Sequence, residues 1–161
     1  IKFLNKKNYY GELIGDIFVK NIKNLKPINL NSSLNSSAID EFLLIFLVAS
    51  KCNGISSFQK LSELNKKESK RLDLGIKILK LIGVKVNKIK NSGIKIWGDN
   101  NLSLNKSYVI KNYLKDHRIF MVSVITALTL GGKWKIHDAD SYKTSFPSFF
   151  KILNQLGIKI K

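Results

Sequence analysis

The sequence predicts an α/β fold of repeated βαβαββ units, helices inside and sheets outside, and three observations carry that expectation. The chain repeats itself: Lys77-Ile-Leu-Lys-Leu-Ile-Gly83-Val-Lys-Val86 reads like Lys151-Ile-Leu-Asn-Gln-Leu-Gly157-Ile-Lys-Ile160. Each is a helix end, a glycine stop and a short alternating strand. Two further segments, 39–52 and 119–130, are apolar nearly all round, and a helix apolar on every side is expected to be buried on every side. The copies lie about 75 residues apart, too far for a solenoid period but suited to a pseudo-symmetric α/β domain.

Taken in order, residues 1–3 resemble the strand after the second glycine stop, and 15–20 make the next strand. Residues 31–37, rich in Asn and Ser, form a loop. Segment 39–52 is the first buried helix. Gly54 ends it, and 55–58 is a strand. A loop leads to an amphipathic helix over about 67–82, then a strand after Gly83 and another over 93–97. The second buried helix, 119–130, stops at Gly131-Gly132 and leads into a strand over 133–137. An amphipathic helix over about 146–156 and the strand after Gly157 complete the second copy. The organisation expected is the end of a preceding repeat (1–34), a repeat (35–112) and a partial repeat (113–161). The chain opens at Ile1 without Met, and the expectation is a piece of a longer protein that opens inside a copy whose helices lie elsewhere.

Composition limits the partners. The net charge of +17 alone suggests a polyanion. Yet 26 of the 28 basic residues are Lys, spread along the chain among Asn and Ile, and only Arg71 and Arg118 are Arg. Readers of nucleic acid lean on Arg for bidentate contacts, so AT-rich coding is the simpler cause and nucleic acid is not the expected partner. The run after Glu41 is too short for a membrane span of about 20 residues, and no signal peptide is visible. The single Cys52 excludes an internal disulfide and reads as a buried structural thiol.

Four clusters hold the chemistry-bearing residues. Ser36-Ser37-Ala38-Ile39-Asp40-Glu41 opens the first buried helix. Capping explains one acid there but not two leading into an apolar run. The stretch from Glu63 to Leu72 is the most charged; a solvated helix start would put Lys67 and Glu68 on one face with Arg71 at helical spacing. Asp116-His117-Arg118 opens the second buried helix, where an Arg beside free N–H groups suits an anion, unless it serves only to pair with Asp116. Ser141-Tyr142-Lys143-Thr144-Ser145-Phe146-Pro147 offers Thr144 or Ser145 as a cap and Pro147 in the first turn. Asp40 and His117 occupy matching places in the two copies. If the buried helices lie side by side, these charged starts meet at one end of the domain, beside a site for a small multiply charged anion.

Together these clusters resemble the 5-enolpyruvylshikimate-3-phosphate synthases. The family's I-D-E is here Ile39-Asp40-Glu41. Its E-L-R-x-K-E-S-D-R-L is Glu63-Leu64-Asn65-Lys66-Lys67-Glu68-Ser69-Lys70-Arg71-Leu72, its D-H-R-x-x-M is Asp116-His117-Arg118-Ile119-Phe120-Met121, and its S-F-P-x-F is Ser145-Phe146-Pro147-Ser148-Phe149. The order and spacing cover essentially the whole chain. The resemblance implies an inverse α/β barrel with helices inside, present here incompletely, as most of a C-terminal domain. It implies transfer of the enolpyruvyl group of phosphoenolpyruvate to the 5-hydroxyl of shikimate 3-phosphate, in the cytoplasm, through a tetrahedral intermediate and without metal or cofactor. It implies that Asp40 binds the shikimate hydroxyl and acts as base, and that Glu68 is acid or base at the methylene carbon. Lys67 would contact shikimate 3-phosphate, and Arg71, Arg118 and His117 phosphoenolpyruvate. The missing partner would be the N-terminal portion of the same enzyme, without which the chain should not turn over.

Three positions depart from the family pattern: Asn65 for Arg, Lys70 for Asp, and Thr144 for a phosphoenolpyruvate-binding Lys, the last as in the branch described as glyphosate-insensitive. The alternatives are a UDP-N-acetylglucosamine enolpyruvyl transferase of the same fold and a non-catalytic basic module that binds nucleic acid.

Overall fold

The computed structural model describes residues 1–158. Their elements run β1 (Lys2–Tyr9), β2 (Glu12–Phe18), α1 (Phe42–Ser50), β3 (Gly54–Phe58), α2 (Arg71–Leu81), β4 (Lys85–Ile89), β5 (Gly93–Gly98), β6 (Leu104–Ile110), α3 (His117–Leu130), β7 (Gly131–Ile136) and α4 (Phe149–Gln155), with 3₁₀ turns at Ser32–Leu34 and Ser62–Lys66. The strand expected after Gly157 lies outside the described residues for its final part.

Strands β3, β5 and β4 form an antiparallel sheet in that order, and β6 pairs with β7 in parallel. Strands β1 and β2 make a separate antiparallel hairpin. The β3–β5–β4 sheet alternates cleanly: Ser56, Phe58, Ile94, Ile96 and Val86 face inward, while Ile55, Lys95, Lys85 and Asn87 face solvent. On the outer face the Lys85 ammonium sits 4.9 Å from the Trp97 ring centroid. Inside, Phe42 and Phe46 of α1 meet Phe58 of β3 edge to face, each ring worth about 1.5–3 kcal/mol on burial. The inner helices therefore carry the core and the sheet closes it from outside, as the repeat pattern predicts.

Three helices share one direction. Gly75 of α2 lies against Leu43 and Phe46 of α1, where an added Cβ would be 2.8 Å and 3.4 Å from their side chains. Leu43 and Leu47 of α1, Ile78 of α2, and Val122 and Thr126 of α3 line one crevice where the three helices meet. Polar residues inside these helices turn back on their own backbone: Ser50 donates to Leu47 O, Ser123 to Ile119 O and Thr126 to Val122 O. Cys52 is buried and donates weakly to Val48 O; burial pushes its thiol up, against a smaller pull from Ser56.

Two expectations need correction. The apolar helices are not covered on every side: Leu44, Val48 and Leu128 are exposed, because nothing among the described residues packs on that face of α1 and α3. The amphipathic helices also start later than their periodicity suggests. Residues 62–66 coil in a 3₁₀ turn and Lys67 is extended, so α2 begins at Arg71. Stacked turns through 138–146 delay α4 to Phe149, which leaves Pro147 ahead of the helix and gives the cap position to Ser148, with no side-chain cap bond.

Candidate functional site

The shared direction of α1, α2 and α3 brings three helix N-termini to one end of the domain, and with them the charged clusters. Asp40 lies just before α1. Its Oδ1 is 2.9 Å from Arg71 Nη1 and 3.7 Å from Lys67 Nζ, and its Oδ2 is 3.5 Å from Arg118 Nη2. Arg118 Nη1 also donates to the Asp40 carbonyl at 2.8 Å and to Glu41 Oε1 at 3.0 Å. Glu68 pairs with Arg71 Nη2. His117, the first residue of α3, lines the adjoining groove beside Arg118, Asp40 and Glu41. The six residues singled out from the sequence thus fall in one region.

Capping does not account for the acids that open α1. Glu41 holds the N-cap position without a side-chain cap bond, and both Asp40 and Glu41 face guanidinium groups instead. Asp116 divides its carboxylate. Oδ1 caps α3, accepting from the N–H of Arg118 at 2.9 Å and of Ile119 at 3.4 Å. Oδ2 accepts from Ser69 Oγ at 2.7 Å and from Arg71 Nε at 2.9 Å. Asp116 therefore pairs with Arg71, not with the side chain of Arg118. The Asp116 side chain is 0% exposed and that of Arg71 1%, while Asp40 and Glu68 reach solvent at 41% and 57%. Burial pushes the Asp116 carboxyl up, but the bonds from Arg71 and Ser69, the Arg71 charge and the Arg118 N–H outweigh it and hold it below its ordinary value.

Ser69 and Asp116 as partners of Arg71, and Glu41 as partner of Arg118, are not foreseen from the sequence. Ser69 looks like one more polar residue in a charged run. Asp116 announces itself only as a helix cap, a role that hides its second oxygen. Asn65 also has a local job: its Oδ1 accepts from the Asp73 N–H at 3.3 Å and its Nδ2 donates to Asp73 Oδ2 at 3.1 Å. It supplies the start of α2 with the cap that Lys70 lacks.

Beside the charged cluster runs a groove of about 410 Å³ between α1 and α3. Leu43, Leu44, Met121 and Ile125 line its apolar length, and Ser145, Phe146 and Phe149 form one wall. That wall is fixed by aromatic packing. Tyr142 stacks on Phe120 of α3 with centroids 5.8 Å apart and meets Phe150 edge-on at 4.7 Å. Thr144 and Lys143 are exposed on the loop so anchored. Among the described residues no group of three or more His, Cys, Asp or Glu is placed to hold a metal ion, and no helix is long and apolar enough to cross a membrane.

Such a site has two guanidinium groups and an ammonium among three solvent-reaching carboxylates, Asp40, Glu41 and Glu68, and the buried Asp116. Its cations can take a compact anion where that anion displaces the solvent-reaching carboxylates, and those carboxylates can move a proton beside it. Residues 15–153 match the family model for EPSP synthase (3-phosphoshikimate 1-carboxyvinyltransferase). The chain is 36% identical over 156 residues to the 3-phosphoshikimate 1-carboxyvinyltransferase of Ruthia magnifica subsp. Calyptogena magnifica, covering 97% of this chain and 35% of that protein. It is 35% identical over 164 residues to the protein of the same name from Zymomonas mobilis, covering 100% and 36%. The solved structure of EPSP synthase from Acinetobacter baumannii superposes with a TM-score of 0.86 at 29% identity over 96% of this chain and 35% of that one. The enolpyruvyl transferase NikO from Streptomyces tendae shares the fold, with a TM-score of 0.60 at 13% identity over 98% and 33%. The chain spans about a third of the length of the relatives it matches.

Proposed function

The chain belongs to the EPSP synthase family, and on that premise we propose that it forms part of a cytoplasmic enzyme that transfers the enolpyruvyl group of phosphoenolpyruvate to the 5-hydroxyl of shikimate 3-phosphate, releasing phosphate. The observation that carries this reading is the meeting of Lys67, Arg71 and Arg118 with Asp40 and Glu68 at one end of three parallel helices. In this reading Arg71 and Arg118, with His117 beside them, hold the phosphate and carboxylate of phosphoenolpyruvate, and Lys67 contacts shikimate 3-phosphate. Asp40 accepts the proton of the attacking hydroxyl. Glu68 gives a proton to the methylene carbon as the new C–O bond forms at the adjacent carbon. It takes the proton back as the bond to phosphate breaks and the double bond returns.

Residues 35–112 would be one repeat of the barrel, 1–34 the end of the repeat before it and 113–161 part of the next. The partner that completes the site would be an N-terminal portion of the same enzyme, and the open face of α1 and α3 supports this division. The 161-residue chain by itself should release no phosphate from the two substrates; release at an enzymatic rate would overturn the division. In a polypeptide that includes the remaining portion, Glu68→Ala and Arg118→Ala should each lower kcat/KM by at least about a hundredfold while the fold, read by circular dichroism, stays intact. Near-normal rates in both would sink the assignment. The same assay with UDP-N-acetylglucosamine as acceptor should show no transfer.

A further inference from the structure

The proposed reaction gives no role to Asp116. It is fully buried, yet it spends its charge on Nε of Arg71. The two outer nitrogens of Arg71 face Asp40 and Glu68, both of which reach solvent. One partner of the guanidinium is therefore enclosed in the protein, and two lie where solvent reaches them. The enclosed partner is tied down in turn. Ser69, on the segment that leads into α2, donates to the same Oδ2 at 2.7 Å, and the other oxygen holds the first N–H groups of α3.

We infer that Asp116, locked by Ser69, is a positioning residue that sets the orientation of Arg71 and so keeps its outer nitrogens available to an incoming anion. The inference rests on the anion-binding reading of the site. Its physical basis is the geometry of one carboxylate between two helix starts. Oδ2 holds Arg71 through its side chain, and Oδ1 holds Arg118 through its backbone. Released at Nε, the Arg71 guanidinium would be free to turn and take Asp40 or Glu68 in a two-point pair. An incoming anion would then have to displace that pair before it could bind.

Charge alone predicts the reverse, because deleting a buried negative group beside a cationic site should strengthen anion binding. Asp116→Asn separates the two. Asn is as good an N-cap as Asp, so α3 keeps its cap while Arg71 loses its charged anchor. The probe is inorganic phosphate, titrated into a polypeptide that includes the remaining portion and followed by calorimetry. Wild type should bind saturably. Arg71→Ala should remove binding, and Asp116→Asn should weaken it about tenfold, the size of one charge-assisted hydrogen bond. Ser69→Ala should weaken it to a smaller degree, and Ser69→Thr, which restores the hydroxyl, should recover it. Unchanged or tighter binding in Asp116→Asn overturns the inference while leaving the anion site standing. Should that variant not fold, unchanged binding in Ser69→Ala overturns it equally. Absence of saturable binding in wild type, or indifference to Arg71→Ala, overturns the reading of the site and the inference with it.

Discussion

Arg71 is enclosed by carboxylates on three sides, and only the one from Asp116 has no route to water. That difference has a consequence in acid. The folded state holds the Asp116 carboxyl below its ordinary value, so the unfolded chain binds this proton more readily. Folding stability is gained above about pH 4 and lost as pH falls below it, through the lowered folded value. The urea midpoint of the wild-type chain should therefore drop as pH falls below about 4, and Asp116→Asn should flatten that slope. An unchanged slope in the variant would mean that other carboxylates carry the acid sensitivity. Much of the site is legible at this scale: Asp40, Lys67, Glu68, Arg71, His117 and Arg118 all stand in recognisable motifs. Ser69 and the second oxygen of Asp116 are not, because a hydrogen bond across 47 residues of chain leaves no mark on local pattern. Neither is the use of Asp40 and Glu41, since a side chain that could cap a helix or pair with an Arg reads the same in sequence.

At the scale of elements, two glycines show how closely the layers approach. A Cβ on Gly98 at the end of β5 would sit 2.2 Å from Ala49 O and 2.3 Å from Cys52 O, backbone atoms that cannot turn aside. A Cβ on Gly75 would meet the tips of Leu43 and Phe46, which can, and Ala for Gly inside a helix returns about 1 kcal/mol of propensity. Gly98→Ala should therefore cost about 3 kcal/mol in urea unfolding and Gly75→Ala about 1 or less. Equal losses would show that the helix layer is as rigid as the turn. The core of each buried helix is legible because an apolar run of that length fits little besides a segment enclosed by the fold. The starts of α2 and α4 are not, since turns and helix share local residue preferences and tertiary bonds decide between them. Strand β6 also escapes the pattern, although its buried positions Leu104, Tyr108 and Ile110 alternate with exposed ones. Its pairing with β7 is parallel and bridges a whole helix, and the stack of Tyr108 on Trp134 at 4.7 Å is visible only once that register is known.

At the scale of the whole molecule, an apolar face lies without cover among the described residues, where Leu44, Val48 and Leu128 reach solvent beside the groove of α1 and α3. Val48→Lys should leave unfolding stability within about 0.5 kcal/mol of wild type and reduce concentration-dependent light scattering. A large loss of stability would show that Val48 is held in the core after all. The arrangement of helices inside and sheets outside is readable from the repeat. The open side of α1 is not, since periodicity reports that a residue is apolar but not whether its neighbour is present. A similar division runs through the hairpin of β1 and β2, where every residue is exposed on both faces. A two-stranded ribbon without a packed face is marginal on its own. Its amides should take up deuterium close to the rate of an unstructured peptide, while those of β5, held between β3 and β4, wait for the protein to open as a unit.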